Sequence, residues 1–96
     1  PYTYLISITL SCAVENNVHQ AALEIKNMLE EENIDSLVIL GPTVPFIKKQ
    51  GNMYLEQLLL KYKKADKVES VLDKIRKVLG MKSGYRLKID RDPYDF

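Results

Sequence analysis

The feature that most constrains this 96-residue chain is a hydrophobic pattern that changes period along its length. From Thr3 to Cys12, the residues Tyr4, Ile6, Ile8, Leu10 and Cys12 alternate with Thr3, Ser7, Thr9 and Ser11. A period of two, rich in β-branched residues, predicts a half-buried strand. Leu5 is the apolar exception on its polar face. Over 16–33 the period lengthens: Val18, Ala22, Ile25 and Leu29 recur every three or four residues, opposite Glu24, Asn27 and Glu31. That spacing predicts an amphipathic helix, with Asn17 and Gln20 as a capping pair and Asn33 as its stop.

Residues 36–41 form a short apolar run ended by Gly41-Pro42, the pattern of a central strand covered by helices. After a loop with Pro45 and Gly51, residues 53–63 read as another strand, in a hairpin with the one before. This third run is apolar on both sides, with Tyr54, Leu58, Leu60 and Tyr62 opposite Leu55 and Leu59. Asp66 with Glu69 reads as a capping box, and Val68, Leu72, Ile75 and Leu79 make a second helical stripe ending at Gly80. Tyr85, Leu87 and Ile89 alternate with Arg86, Lys88 and Asp90 as a last strand, stopped by Asp92-Pro93.

Strand, helix, strand, strand, helix, strand, joined by right-handed crossovers, predicts an α+β ferredoxin-like split βαββαβ sandwich. It has a four-stranded antiparallel sheet with two helices on one face. The other face is left to water or a partner. At this length, residues 1–96 make a single domain with one core. Because the chain opens on Pro1, it reads as a module of a longer protein.

Catalytic and metal chemistry find little support. The single cysteine, Cys12, lies on the core face of the first strand, and the single histidine, His19, starts the first helix with no evident constellation. Neither a zinc site nor a disulfide framework can be built from them. No glycine-rich phosphate loop occurs. An acylphosphatase-like phosphatase, which shares the fold, wants an Arg-bearing glycine loop, and residues 11–17 offer none. Asp90, Asp92 and Asp95 read as a solvated tail. No run approaches the length needed to span a membrane.

Charge carries more information. The total is +1, yet residues 1–47 hold one base and six acids, a net of −5, while residues 48–88 hold twelve bases and four acids, a net of +8. Such segregation points to a polyanion or an acidic partner. The lysines off the helices are least open to neutralisation by acidic neighbours. The candidate phosphate-binding set is therefore Lys48, Lys49, Lys61, Lys63, Lys64 and, continuing onto the second helix, Lys67. Lysines hold phosphates without reading bases, so binding would be non-specific and salt-sensitive. Leu5, Leu55 and Leu59 would form an apolar docking spot on the uncovered sheet face. An RNA-recognition module would need exposed aromatics on the central strands, and these are missing.

Several segments together resemble one family. They are Pro1-Tyr2; the Ile39-Leu40-Gly41-Pro42 turn followed by Pro45 and basic residues; Tyr54 with Gln57; and the closing Ile89-Asp90-Arg91-Asp92-Pro93. Over essentially all 96 residues and in the same order, the chain resembles the C-terminal domain of the bacterial primosomal replication-restart helicase PriA (primosomal protein N′). Two positions depart from that pattern: Leu55, where the family has an Arg, and Arg91, where it has an apolar residue.

The resemblance implies a non-catalytic, cytoplasmic module at the end of an ATP-dependent 3′-5′ DNA helicase. ATP, magnesium and zinc would belong to the parent, with no cofactor in this domain. It implies as partners branched or single-stranded DNA, the parent's helicase core, single-stranded DNA-binding protein and other primosome proteins. The alternative is a protein-interaction module that recruits replication partners with little DNA contact.

Overall fold

In a computed structural model the chain is described over residues 3–45 and 49–91, with the side chains of Lys49 and Gln50 excepted. The order is β1 (Tyr4–Cys12), α1 (Glu15–Glu31), β2 (Val38–Thr43), β3 (Lys49–Gln50), β4 (Met53–Tyr62), α2 (Ala65–Gly80) and β5 (Arg86–Arg91). The main strands lie in the order β2-β4-β1-β5, with the short β3 pairing with the start of β4. All pairings are antiparallel. This is the expected ferredoxin-like sandwich, enlarged by the small β3–β4 hairpin.

The two-residue alternation decides which face each strand residue takes. On β1, Ile6, Ile8, Leu10 and Cys12 are buried, opposite Leu60, Leu58, Glu56 and Tyr54 of β4. Against them pack Val18, Ala22, Ile25 and Leu29 of α1 and Val68, Leu72, Ile75 and Leu79 of α2. These are the residues whose spacing marked the two helical stripes. Burying each such Val, Leu or Ile side chain contributes about 1.5–3 kcal/mol, and the core lies between the sheet and the helices.

Two readings of the sequence change. The run at 36–41 is an edge strand, not a central one: among the described residues β2 pairs only with β4, and Val38 and Leu40 are each 48% exposed. A continuous apolar run does not separate a doubly covered strand from an edge strand with an uncovered apolar face. The capping pairs also differ. Helix α1 begins after Val14 and α2 after Lys64, neither with a side-chain cap, so Asn17 and Asp66 lie inside the first turns. Asn33 does terminate α1, turning to a positive φ of 48°. Gly80 ends α2 as a helical residue, and the positive φ falls later, at Gly84.

Gly41 marks an irregularity in β2, between Leu40 and Thr43, where the register with β4 shifts. Its φ is +108°, and a Cβ there would lie 2.7 Å from the Gln57 carbonyl oxygen. Only glycine fits both conditions. The following Gly41-Pro42 bond is cis.

Candidate nucleic-acid interface

Ion pairing sorts the ten bases of 61–88 into two groups. Lys74 lies 3.5 Å from Glu32 and Lys82 lies 3.0 Å from Glu24, so α2 and the turn after it neutralise part of the acidic α1 face. Arg76 pairs with Asp73 within α2. Lys61, Lys63, Lys64 and Lys67 make no ion pair among the described residues, nor do Lys77, Arg86 and Lys88. Exposed pairs of the first kind contribute little to stability, but they remove those cations from the field that an anion would meet.

Four of the six predicted lysines come together. Lys61 ends β4, Lys63 and Lys64 form the β4–α2 connection, and Lys67 lies in the first turn of α2; all four are exposed. Lys63, Lys64 and Lys67 border an open depression of about 430 Å³, which Ala65 and Asp66 complete. The chain leaves the sheet and turns into a helix within three residues, and this brings the four lysines to one end of the molecule. Lys49 is not with them. It pairs with Tyr54 at the far end of β4, roughly 24 Å away at about 3.4 Å per strand residue. Lys48 lies outside the described residues.

The register also lays out the uncovered sheet face. Across it run the rows Val38–Lys61–Leu5, Leu40–Leu59–Ser7–Asp90, Gln57–Thr9–Lys88 and Leu55–Ser11–Arg86. Leu5, Leu55 and Leu59 therefore share this face, as their alternation predicts. The face is divided: its β2–β4 half is mainly aliphatic, while its β1–β5 half carries hydroxyls and charges. Gln57 Nε2 donates to Ser7 Oγ at 2.8 Å across the boundary, which leaves Ser7 buried.

Sequence reasoning missed one constellation. Glu56 takes a core-face position in β4 and is only 5% exposed. Its two oxygens lie 2.9 and 3.0 Å from Nδ1 of His19 on α1, whose N–H donates to the carboxylate. The pair is 37 residues apart in sequence, and no local pattern links them. The usable signal was a carboxylate at a buried period-two position, which demands a partner.

Arg91 is the second group whose task depends on tertiary structure. Its Nε donates to Glu69 Oε2 at 2.8 Å and its Nη2 to Glu69 Oε1, a fork that ties the end of β5 to α2. The Arg91 hydrogen bonds hold the Glu69 carboxyl below its ordinary value of 4.5, and Arg91 is raised in turn. Among the described residues no group of three His, Cys, Asp or Glu side chains could hold a metal ion. Nor is any helix there long and apolar enough to cross a membrane.

Solved structures share the architecture. The de novo designed protein Foldit4 is 12% identical, with a TM-score of 0.75 over 96% of this chain and 98% of that one. A second designed protein with a ferredoxin fold is 10% identical, at 0.60 over 100% and 89%. A dimeric ferredoxin-like protein from an uncultured marine organism is 12% identical, at 0.51 over 99% and 98%. At these identities the likeness is one of fold alone. No curated protein matches the sequence. One family model does match, over residues 1–94, and by it the chain belongs to the primosomal protein N C-terminal domain family.

Proposed function

We propose that this chain is the DNA-binding and domain-docking module of an ATP-dependent replication-restart helicase, and that it contacts branched or single-stranded DNA at stalled forks. The observation that carries this reading is the group of exposed lysines at the β4–α2 end. Lys61, Lys63, Lys64 and Lys67 gather there with no ion-pair partner among the described residues, while Lys74 and Lys82 are taken up by α1. Lysines so placed engage phosphates as point charges without base specificity. Membership in a primosomal family agrees with an anionic nucleic-acid ligand.

The aliphatic half of the open face, with Leu5, Leu55 and Leu59 beside Val38 and Leu40, is the surface proposed to pack on the helicase core of the parent. ATP hydrolysis, with its magnesium, and the zinc site are assigned to that core, and no catalytic residue to this domain. Binding of the chain to forked and single-stranded oligonucleotides at low salt tests the reading. The variant K61E/K63E/K64E/K67E is expected to abolish it, and unchanged binding would reject the lysine assignment.

A second reading is favoured by the exposure of Val38 and Leu40: a module that recruits single-stranded DNA-binding protein or other primosome proteins through the apolar half. It predicts partner binding with no DNA binding at low salt.

A further inference from the structure

The charged half of the open sheet face is separate from the lysine group and asks for its own ligand. Arg86 and Lys88 are exposed on β5, two residues apart and on one face. That spacing sets their backbone origins about 6.8 Å apart, comparable to adjacent phosphates of an extended polynucleotide. Beside them on β1 lie the short side chains of Ser11 and Thr9, and beyond these Leu55 and Gln57 on β4, in register row by row. The result is a trough with a hydroxyl floor, a basic wall and a mainly aliphatic wall. The walls stand two strand spacings apart, about 9.6 Å, which admits one strand and excludes a duplex.

We propose that this trough is a second DNA contact, binding a single-stranded segment along β1 with consecutive phosphates on Arg86 and Lys88. The proposal rests on the DNA-binding reading above and adds to it a site, a strandedness and a direction. The alternation of Arg86, Lys88 and Asp90 on β5 fixes one end of the segment, because the Asp90 carboxylate, in the row of Ser7, repels a further phosphate. The row of Leu5 and Lys61 lies beyond Asp90, about 20 Å from Ser11 by strand rise, so the lysine group is a separate contact.

No aromatic side chain lies on this face of β1, β4 or β5 among the described residues. Bases therefore rest on aliphatic and hydroxyl groups without stacking platforms, and binding is indifferent to sequence. The charged side chains along β5 also disfavour an added peptide strand at that edge. This selects a polyanion over an acidic β-strand as the occupant.

The test measures binding of the chain to an oligo-dT strand and to a blunt duplex across a salt series. R86Q/K88Q is expected to weaken single-strand binding on the order of tenfold at low salt. It should also reduce the salt slope by about 1.4, at roughly 0.7 per phosphate contact. S11E, in the floor, should weaken binding and S11K strengthen it. N27K, on the outer face of α1, should change little. A gain in S11K that N27K lacks cannot come from misfolding. If the wild-type chain binds and K61E/K63E/K64E/K67E abolishes binding, but R86Q/K88Q and S11E match wild type, the trough is refuted and the lysine assignment stands. If the chain binds no DNA, both fall. Equal weakening of duplex binding by R86Q/K88Q overturns the strandedness. Loss of an acidic peptide's binding in R86Q/K88Q, with DNA binding intact, overturns the occupant.

Discussion

At the scale of single residues, two positions carry constraints out of proportion to their size. Gly41 holds a φ of +108° with the Gln57 carbonyl where a Cβ would be. Gly41→Ala is expected to cost about 2–3 kcal/mol, from backbone strain plus displacement of β4. Chemical denaturation measures it, and a loss below about 0.5 kcal/mol would contradict the geometry. Glu56 shows a different economy. Its buried carboxylate relies on His19, so His19→Ala should destabilise the fold by about 2 kcal/mol by stranding a charge. H19A/E56L should recover much of that loss, because removing both partners leaves nothing unpaired. The glycine was legible in the sequence as a turn before a proline. The histidine was not, because its partner lies on a strand that only folding brings near.

At the scale of elements, the strands and helices were legible because hydrophobic period is a local property. The strand faces at Ile6, Ile8 and Leu10, and the stripe from Val68 to Leu79, follow from it directly. What period could not supply was neighbourhood. An apolar β2 looked central, and only the sheet order makes Val38 and Leu40 edge residues on an uncovered face. Capping pairs misled because Asn17-Gln20 and Asp66-Glu69 fit the spacing three and two residues too late, inside helices that begin at Glu15 and Ala65.

Glu69 instead serves the β5–α2 junction through Arg91. The folded-state Glu69 carboxyl titrates below its unfolded value, so its contribution is present above the ordinary carboxylate range and lost as pH falls through the lowered value. The pair is well exposed, which limits the effect to under about 1 kcal/mol. E69Q should therefore be slightly less stable than wild type at pH 7, with the difference vanishing as pH falls below the depressed value. A difference that persisted or grew in acid would contradict the assignment.

At the scale of the whole molecule, the charge split along the chain becomes a division of space. Part of the basic segment is spent on the acidic α1 through Lys74 and Lys82, and Arg76 is paired within α2. Of the remainder, Lys61, Lys63, Lys64 and Lys67 gather at the β4–α2 end, and Arg86 and Lys88 lie on the open face. The sequence-based candidates captured four of the six lysines as one group. Lys49 separates from them because β3 sits at the other end of β4, a distance no local pattern encodes. Arg86 and Lys88 were visible as a charged strand face, but their relation to Ser11 and Leu55 required the register.

The central claim is that unpaired cations of this chain bind DNA phosphates. It is tested most directly by the salt dependence of single-strand binding to the chain. With four to six phosphate contacts the logarithm of the association constant should fall against the logarithm of salt with a slope of about −3 to −4. A slope near zero, or no binding at low salt, would contradict the account.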